Sequence, residues 1–185
     1  MKKVSNLIVC ALLLQASVVF AQPSANNDPD MAVSGQVVLP DNSIVSGSVK
    51  DNIRKKGELS ILVNGKKTKY KAGEISSAQV GSTNYITWNF TFYEILWQGK
   101  NLTLLRKANE PSGVQYSGSN TVVVSSEGDV DDLFIRQTNN PSLQWLSKKN
   151  IKEVLGKICA SCNIDASTFD ADAVKKAVAD CDKCK

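Results

Sequence analysis

The sequence predicts a mainly β protein: an antiparallel meander (sandwich, roll or open barrel) followed by two short C-terminal α-helices. Three observations carry this. From Ala32 to Arg136 the apolar residues fall in short runs separated by Gly, Pro, Asn and Asp clusters, too short for helices and too closely spaced for βαβ units. Asn64-Gly65 stands between two extended runs, and a type I′ turn needs positive φ at both central residues. After Asn139-Asn140-Pro141 the apolar period lengthens: Ile151, Val154, Leu155, Ile158 and Cys162 lie at i, i+3, i+4, i+7 and i+11, one helix face. With 185 residues, 42% hydrophobic and 22% charged, the chain has enough apolar side chains to offset the entropy of ordering one globular domain.

The N-terminus reads as an address. Met1-Lys2-Lys3 is a basic n-region, Leu7–Phe20 is apolar, and Val19-Phe20-Ala21 offers the small residues a signal peptidase reads. That run is 14 residues, short of the ~18–20 a spanning helix needs. Cleavage is expected between Ala21 and Gln22, giving a secreted or periplasmic protein with no transmembrane segment in the mature chain. The organisation expected is residues 1–21 signal peptide, 22–31 flexible leader, 32–138 β-rich domain and 139–185 helical cysteine-stapled tail. Loss of the signal lowers the formal charge from +4 to +2, so no global polycation seeks nucleic acid.

Within the β-rich part, Val33–Leu39 and Ile44–Val49 flank the turn Pro40-Asp41-Asn42-Ser43. Leu59–Val63 leads through Asn64-Gly65 into Lys66–Lys71. Further runs are Ile75–Val80, Tyr85–Phe90, Phe92–Trp97, Leu102–Leu105, Thr121–Val124 and Leu133–Arg136. Apolar residues occupy even positions through Phe92 and odd positions in Tyr93, Ile95 and Trp97. A bulge or tight turn near Asn89–Phe92 is therefore required. In the tail, Ser147 and Asp170 are the expected N-caps, and Val174, Ala177, Val178 and Cys181 form the apolar face of the last helix.

Cys10 leaves with the signal. Cys159, Cys162, Cys181 and Cys184 remain, spaced C-x2-C-x18-C-x2-C. Inside a cell that spacing is a zinc signature, because four thiolates satisfy a tetrahedral ion. Export favours disulfides. A thioredoxin-like role is disfavoured, since reactive Cys-x-x-Cys pairs use a helix N-terminus and these sit at a helix end. The last helix rises ~16 Å, and the Asn163–Phe169 linker reaches ~23 Å, so the two pairs can meet. Bridges 159–181 with 162–184, or 159–184 with 162–181, both satisfy the chain.

The absence of His removes Ser-His, Cys-His and His-ligated metal chemistry. No G-x-S-x-G, P-loop or dinucleotide fingerprint occurs, and no cofactor is called for. Lys67, Lys69 and Lys71 share one strand face. They read as a solvated edge guarded against pairing, or as an anion-binding face. Glu127, Asp129 and Asp131 alternate like calcium ligands, but Asp132 stands where the loop needs Gly and Thr138 where it needs Glu, so an acidic turn is the reading. Tyr85, Trp88, Tyr93 and Trp97 are a sugar platform or, more simply, core. Glu74, Glu94, Asp131 and Asp132 are the candidates for a hydrolytic carboxylate pair.

Tyr70-Lys-Ala-Gly-Glu74-Ile75, then Phe92-x-x-Ile95-Leu96-x-x-Gly99-Lys100 with Leu102 and Leu104, the Val37–Val49 hairpin, and the Lys-rich helix closing on Cys159 and Cys162 form one pattern. Together they resemble a loose group of small exported proteins of Gram-negative bacteria, β-rich with a cysteine-bearing helical tail. The resemblance implies the architecture and a bacterial source and adds no site residues. The doubled Cys-x-x-Cys departs from that group's simpler cysteine pattern. The function expected is an exported, non-catalytic binding or envelope-associated module whose partner is envelope glycan or another exported protein. The alternatives are a carboxylate-dependent hydrolase of extracellular polymers and a four-cysteine metal-binding or redox accessory protein.

Overall fold

The computed structural model describes residues 33–111, 114–117, 120–123, 126–159 and 169–183. The expected signal and leader, Cys162 and Cys184 lie outside them. β1 (Val33–Val38) and β2 (Ile44–Asn52) pair across the Leu39–Ser43 turn, where the Asp41 carboxylate accepts from the Ser43 N–H and Oγ and Asn42 takes φ 66°. A single-turn helix, α1 (Ile53–Lys56), leads into β3 (Glu58–Val63), which pairs with β4 (Lys66–Lys71). β5 (Ser77–Val80), β6 (Thr83–Trp88), β7 (Thr91–Gln98) and β8 (Leu102–Lys107) continue the meander. β9 (Val114–Ser117) and β10 (Asn120–Val123) form a separate ribbon, and β11 (Leu133–Gln137) and β12 (Asn140–Leu146) complete the strands. Two helices follow, α2 (Ile151–Ile158) and α3 (Ala171–Lys183).

Ten strands make one open antiparallel sheet in the order β12-β11-β8-β7-β6-β5-β1-β2-β3-β4. The meander is thus a single continuous layer rather than the two sheets of a sandwich, and β4 and β12 are its edges. Local chemistry sets the hairpins. Asn64 and Gly65 take φ 49° and 78° between Val63 and Lys66, and Asn89 and Phe90 take 45° and 60° between Trp88 and Thr91. The second turn is the parity switch the pattern required. It places Ile86, Trp88, Tyr93 and Ile95 on one face and Tyr85, Thr87 and Phe92 on the other.

The inner face carries two cores. In the N-terminal half, Val37, Val49, Ile53, Leu59, Ile61, Ala78, Tyr85 and Phe92 pack together. In the C-terminal half, Leu102, Leu104, Leu133, Ile135 and Leu146 are covered by Ile151, Leu155 and Ile158 of α2 and by Val174, Val178 and Cys181 of α3. A smaller outer-face cluster, Tyr93, Leu105 and Phe134, has the two rings edge-on at 5.2 Å. Burial pushes the Tyr93 phenol up to about 12.

Three elements differ from expectation. β12 extends the sheet through Leu146, past the boundary set at residue 139, because Asn139-Asn140-Pro141 reads as a break while an edge strand tolerates Pro. α1 and β9 were not foreseen. Of the two expected caps Asp170 is present, whereas the N-cap of α2 is Asn150, three residues past Ser147 and without a side-chain cap bond. Ser147 and Asn150 bond reciprocally, N–H to Oδ1 at 2.7 Å and N–H to Oγ at 3.3 Å, and Ile151 N–H reaches the Ser147 carbonyl. The Asp170 carboxylate accepts from Ala173 N–H at 2.8 Å.

Candidate functional site

Between the two inner cores the sheet presents a row of polar side chains. Tyr85, Glu94 and Arg106 are cross-strand neighbours on β6, β7 and β8. Arg54 reaches them from α1, fixed there because Ile53 beside it is fully buried and Gly57, at φ 62°, ends the turn. Arg106 grips Glu94 through Nη2 at 2.7 Å and Nε at 3.2 Å. Arg54 donates to Asp131 at 2.7 Å and lies 3.4 Å from Glu94. The hydrogen bond to Asp131 holds the Arg54 guanidinium more firmly protonated. At the end of the row Tyr85 Oη donates to Asp51 at 3.1 Å, while the other Asp51 oxygen accepts from Ile53 N–H. Burial and the Asp51 carboxylate push the Tyr85 phenol well above its ordinary value.

This seam opens into a cleft of about 210 Å³ lined by Arg106, Asp131, Asp132, Leu133, Phe169 and Asp170. Small-molecule sites typically occupy ~300–1,000 Å³, so the cleft is below the size that encloses a substrate. Arg106 is the stronger member of the clamp, donating twice to one oxygen, Oε2, of a carboxylate only 17% exposed. Arg54 is 40% exposed and pairs with Asp131 at 60%. Arg106→Gln is therefore expected to cost about 2 kcal/mol in denaturant unfolding, and Arg54→Gln no more than about 1 kcal/mol.

The sequence-derived candidates divide cleanly. Glu94 and Asp131 come together, but around two guanidiniums. Glu74 instead accepts from Lys71 N–H in the β4–β5 turn, and Asp132 accepts from Asp129 N–H. Asp131 thus belongs to the clamp and Asp129 and Asp132 to an acidic turn; among the described residues no group of His, Cys, Asp or Glu is placed to hold a metal ion. The four aromatics share no platform: Tyr85 and Tyr93 are buried on opposite faces, Trp97 packs against the α2–α3 core, and Trp88 is 37% exposed. Lys67, Lys69 and Lys71 are exposed on edge strand β4, with Lys69 3.0 Å from Glu58.

Cys159 ends α2 and Cys181 lies in α3, both buried in one core cluster. Beside it is a feature the sequence did not announce. Asp182 accepts from three successive backbone N–H groups, Lys100 at 2.9 Å, Asn101 at 2.7 Å and Leu102 at 2.8 Å. Gly99 permits this, because a Cβ there would overlap both the Trp97 ring and the Asp182 carboxylate. Burial raises the Asp182 carboxyl, but the hydrogen bonds outweigh it and hold the group below its ordinary value. Lys107, fully buried, performs a similar service for the β9–β10 excursion. Its ammonium reaches Glu110 at 3.0 Å and the Gly128 carbonyl, fastening both ends. Comparison with family models, curated proteins and solved structures finds no match.

Proposed function

We propose that the chain is an exported, non-catalytic β-rich module that binds a component of the cell envelope, with its helical tail stapled by Cys159, Cys162, Cys181 and Cys184. The observation that carries the non-catalytic part is the clamp. Glu94 and Asp131, two of the four carboxylates open to the hydrolase alternative, are paired with Arg54 and Arg106. A nucleophile needs an open approach, and the paired guanidiniums occupy it. The basic n-region, apolar run and Ala21-Gln22 junction support export to a secreted or periplasmic location, as does the resemblance to small exported proteins of Gram-negative bacteria. The burial of Cys159 and Cys181 in one core cluster supports a staple that ties α3 to α2. The reading needs no cofactor and no nucleic acid.

Incubation with peptidoglycan and with soluble exopolysaccharides tests it. The wild-type chain is expected to release no reducing ends. Release that Glu94→Gln abolishes, with the fold intact by circular dichroism, would establish the hydrolase instead.

A further inference from the structure

The outer face of the N-terminal half combines lysines with exposed apolar side chains. In register, Lys67, Lys69 and Lys71 of β4 stand opposite Leu62, Ser60 and Glu58 of β3, which stand opposite Ser48, Lys50 and Asn52 of β2. The same face of β2 continues to Ile44, 61% exposed, and crosses by Val38 and Ser77 to Ile86, two residues before Trp88. The other face of these strands is the core built on Val37, Val49, Leu59 and Ile61. Residues 33–75 hold eight basic and four acidic residues, a net +4 that equals the formal charge of the whole chain.

Edge protection accounts for lysines on β4. It does not account for an exposed Ile and Trp on the same face. We propose that this face is a docking surface for an anionic lipid bilayer. Lysines several ångströms apart along a strand match a field of headgroup charges rather than one anion, and their stems let the ammonium groups reach outward. Trp favours the headgroup level, and an exposed Ile gains by entering the acyl boundary. A hydrated anionic polysaccharide would use the lysines but gain nothing from Ile44. The inference rests on the envelope-module reading and names the surface bound.

Co-sedimentation of the exported chain with phosphatidylcholine vesicles, with and without phosphatidylglycerol, tests it. Binding is expected only with phosphatidylglycerol and is expected to weaken with salt. Combining Lys67→Gln, Lys69→Gln and Lys71→Gln is expected to lower it about a hundredfold, roughly fivefold per lysine, with unchanged melting; the three Lys→Arg changes should retain it. Ile44→Ser with Trp88→Ala is expected to weaken binding several-fold while leaving its salt dependence in place. Undiminished binding by the Gln variant, failure of the wild-type chain to bind, or binding to soluble alginate in place of vesicles overturns the proposal. None of these results bears on catalysis, which the reducing-end assay reads separately.

Discussion

Asp182→Ala is expected to release the C-terminal end of α3 from the β7–β8 turn and to cost about 2 kcal/mol, the scale of hydrogen bonds to one charged group. Three backbone N–H groups, of Lys100, Asn101 and Leu102, converge on this carboxylate. The loss should appear as faster amide exchange at Val174–Lys183 and at Leu102, with β1–β4 unchanged, because the N-terminal core is a separate cluster. The pH dependence follows from the same geometry. The folded carboxyl titrates below its ordinary value, so its stabilisation is fully present above the unfolded value, near 3.8, and is lost as pH falls through the folded one. Wild-type protection of α3 should hold down to about pH 4 and then decline. Asp182→Asn should remove most of that decline.

Reduction of the cysteine staple is expected to have the larger effect, about 3 kcal/mol for a closed loop of ~20 residues in the chain-entropy account. The helices cover Leu102, Leu104, Leu133, Ile135 and Leu146, so reduction of the proposed staple should make residues 151–183 protease-sensitive while the sheet survives. Since Cys181 and Asp182 are adjacent, the two losses should not add: a loosened helix keeps less of the Asp182 contact, and reduction of Asp182→Ala should cost less than the sum. Limited proteolysis under reducing and non-reducing conditions, wild-type against Asp182→Ala, reads both effects.

Much of the fold was legible because its signals are local. Asn64-Gly65 demands positive φ, and Asp170 offers an oxygen to the helix N–H of Ala173. The clash between even and odd apolar positions forced the turn at Asn89-Phe90. α1 was overlooked although Arg54-Lys55-Lys56-Gly57 is a helix ending, with basic residues before an αL glycine. β12 was hidden by Pro141, whose missing donor matters little on an edge. The site was less legible because its contacts are distant in sequence. Arg54 meets Asp131 across 77 positions, and Asp182 meets Asn101 across 81. Candidate carboxylates could be named from the sequence, but the pairing of Glu94 and Asp131 with Arg54 and Arg106 depends on how the open sheet brings α1 over β7 and β8. The lysine face was visible as alternation, whereas Ile44 and Trp88 joined it only through the register of β1, β5 and β6.

The most direct measurement is intact mass with non-reduced peptide mapping of the chain recovered from the envelope or medium of a producing cell. The account predicts a chain beginning at Gln22, with Cys159, Cys162, Cys181 and Cys184 in two disulfides, no alkylatable thiol and no bound zinc. A mass that retains Met1–Ala21, four thiols open to alkylation, or one zinc held per chain would contradict it.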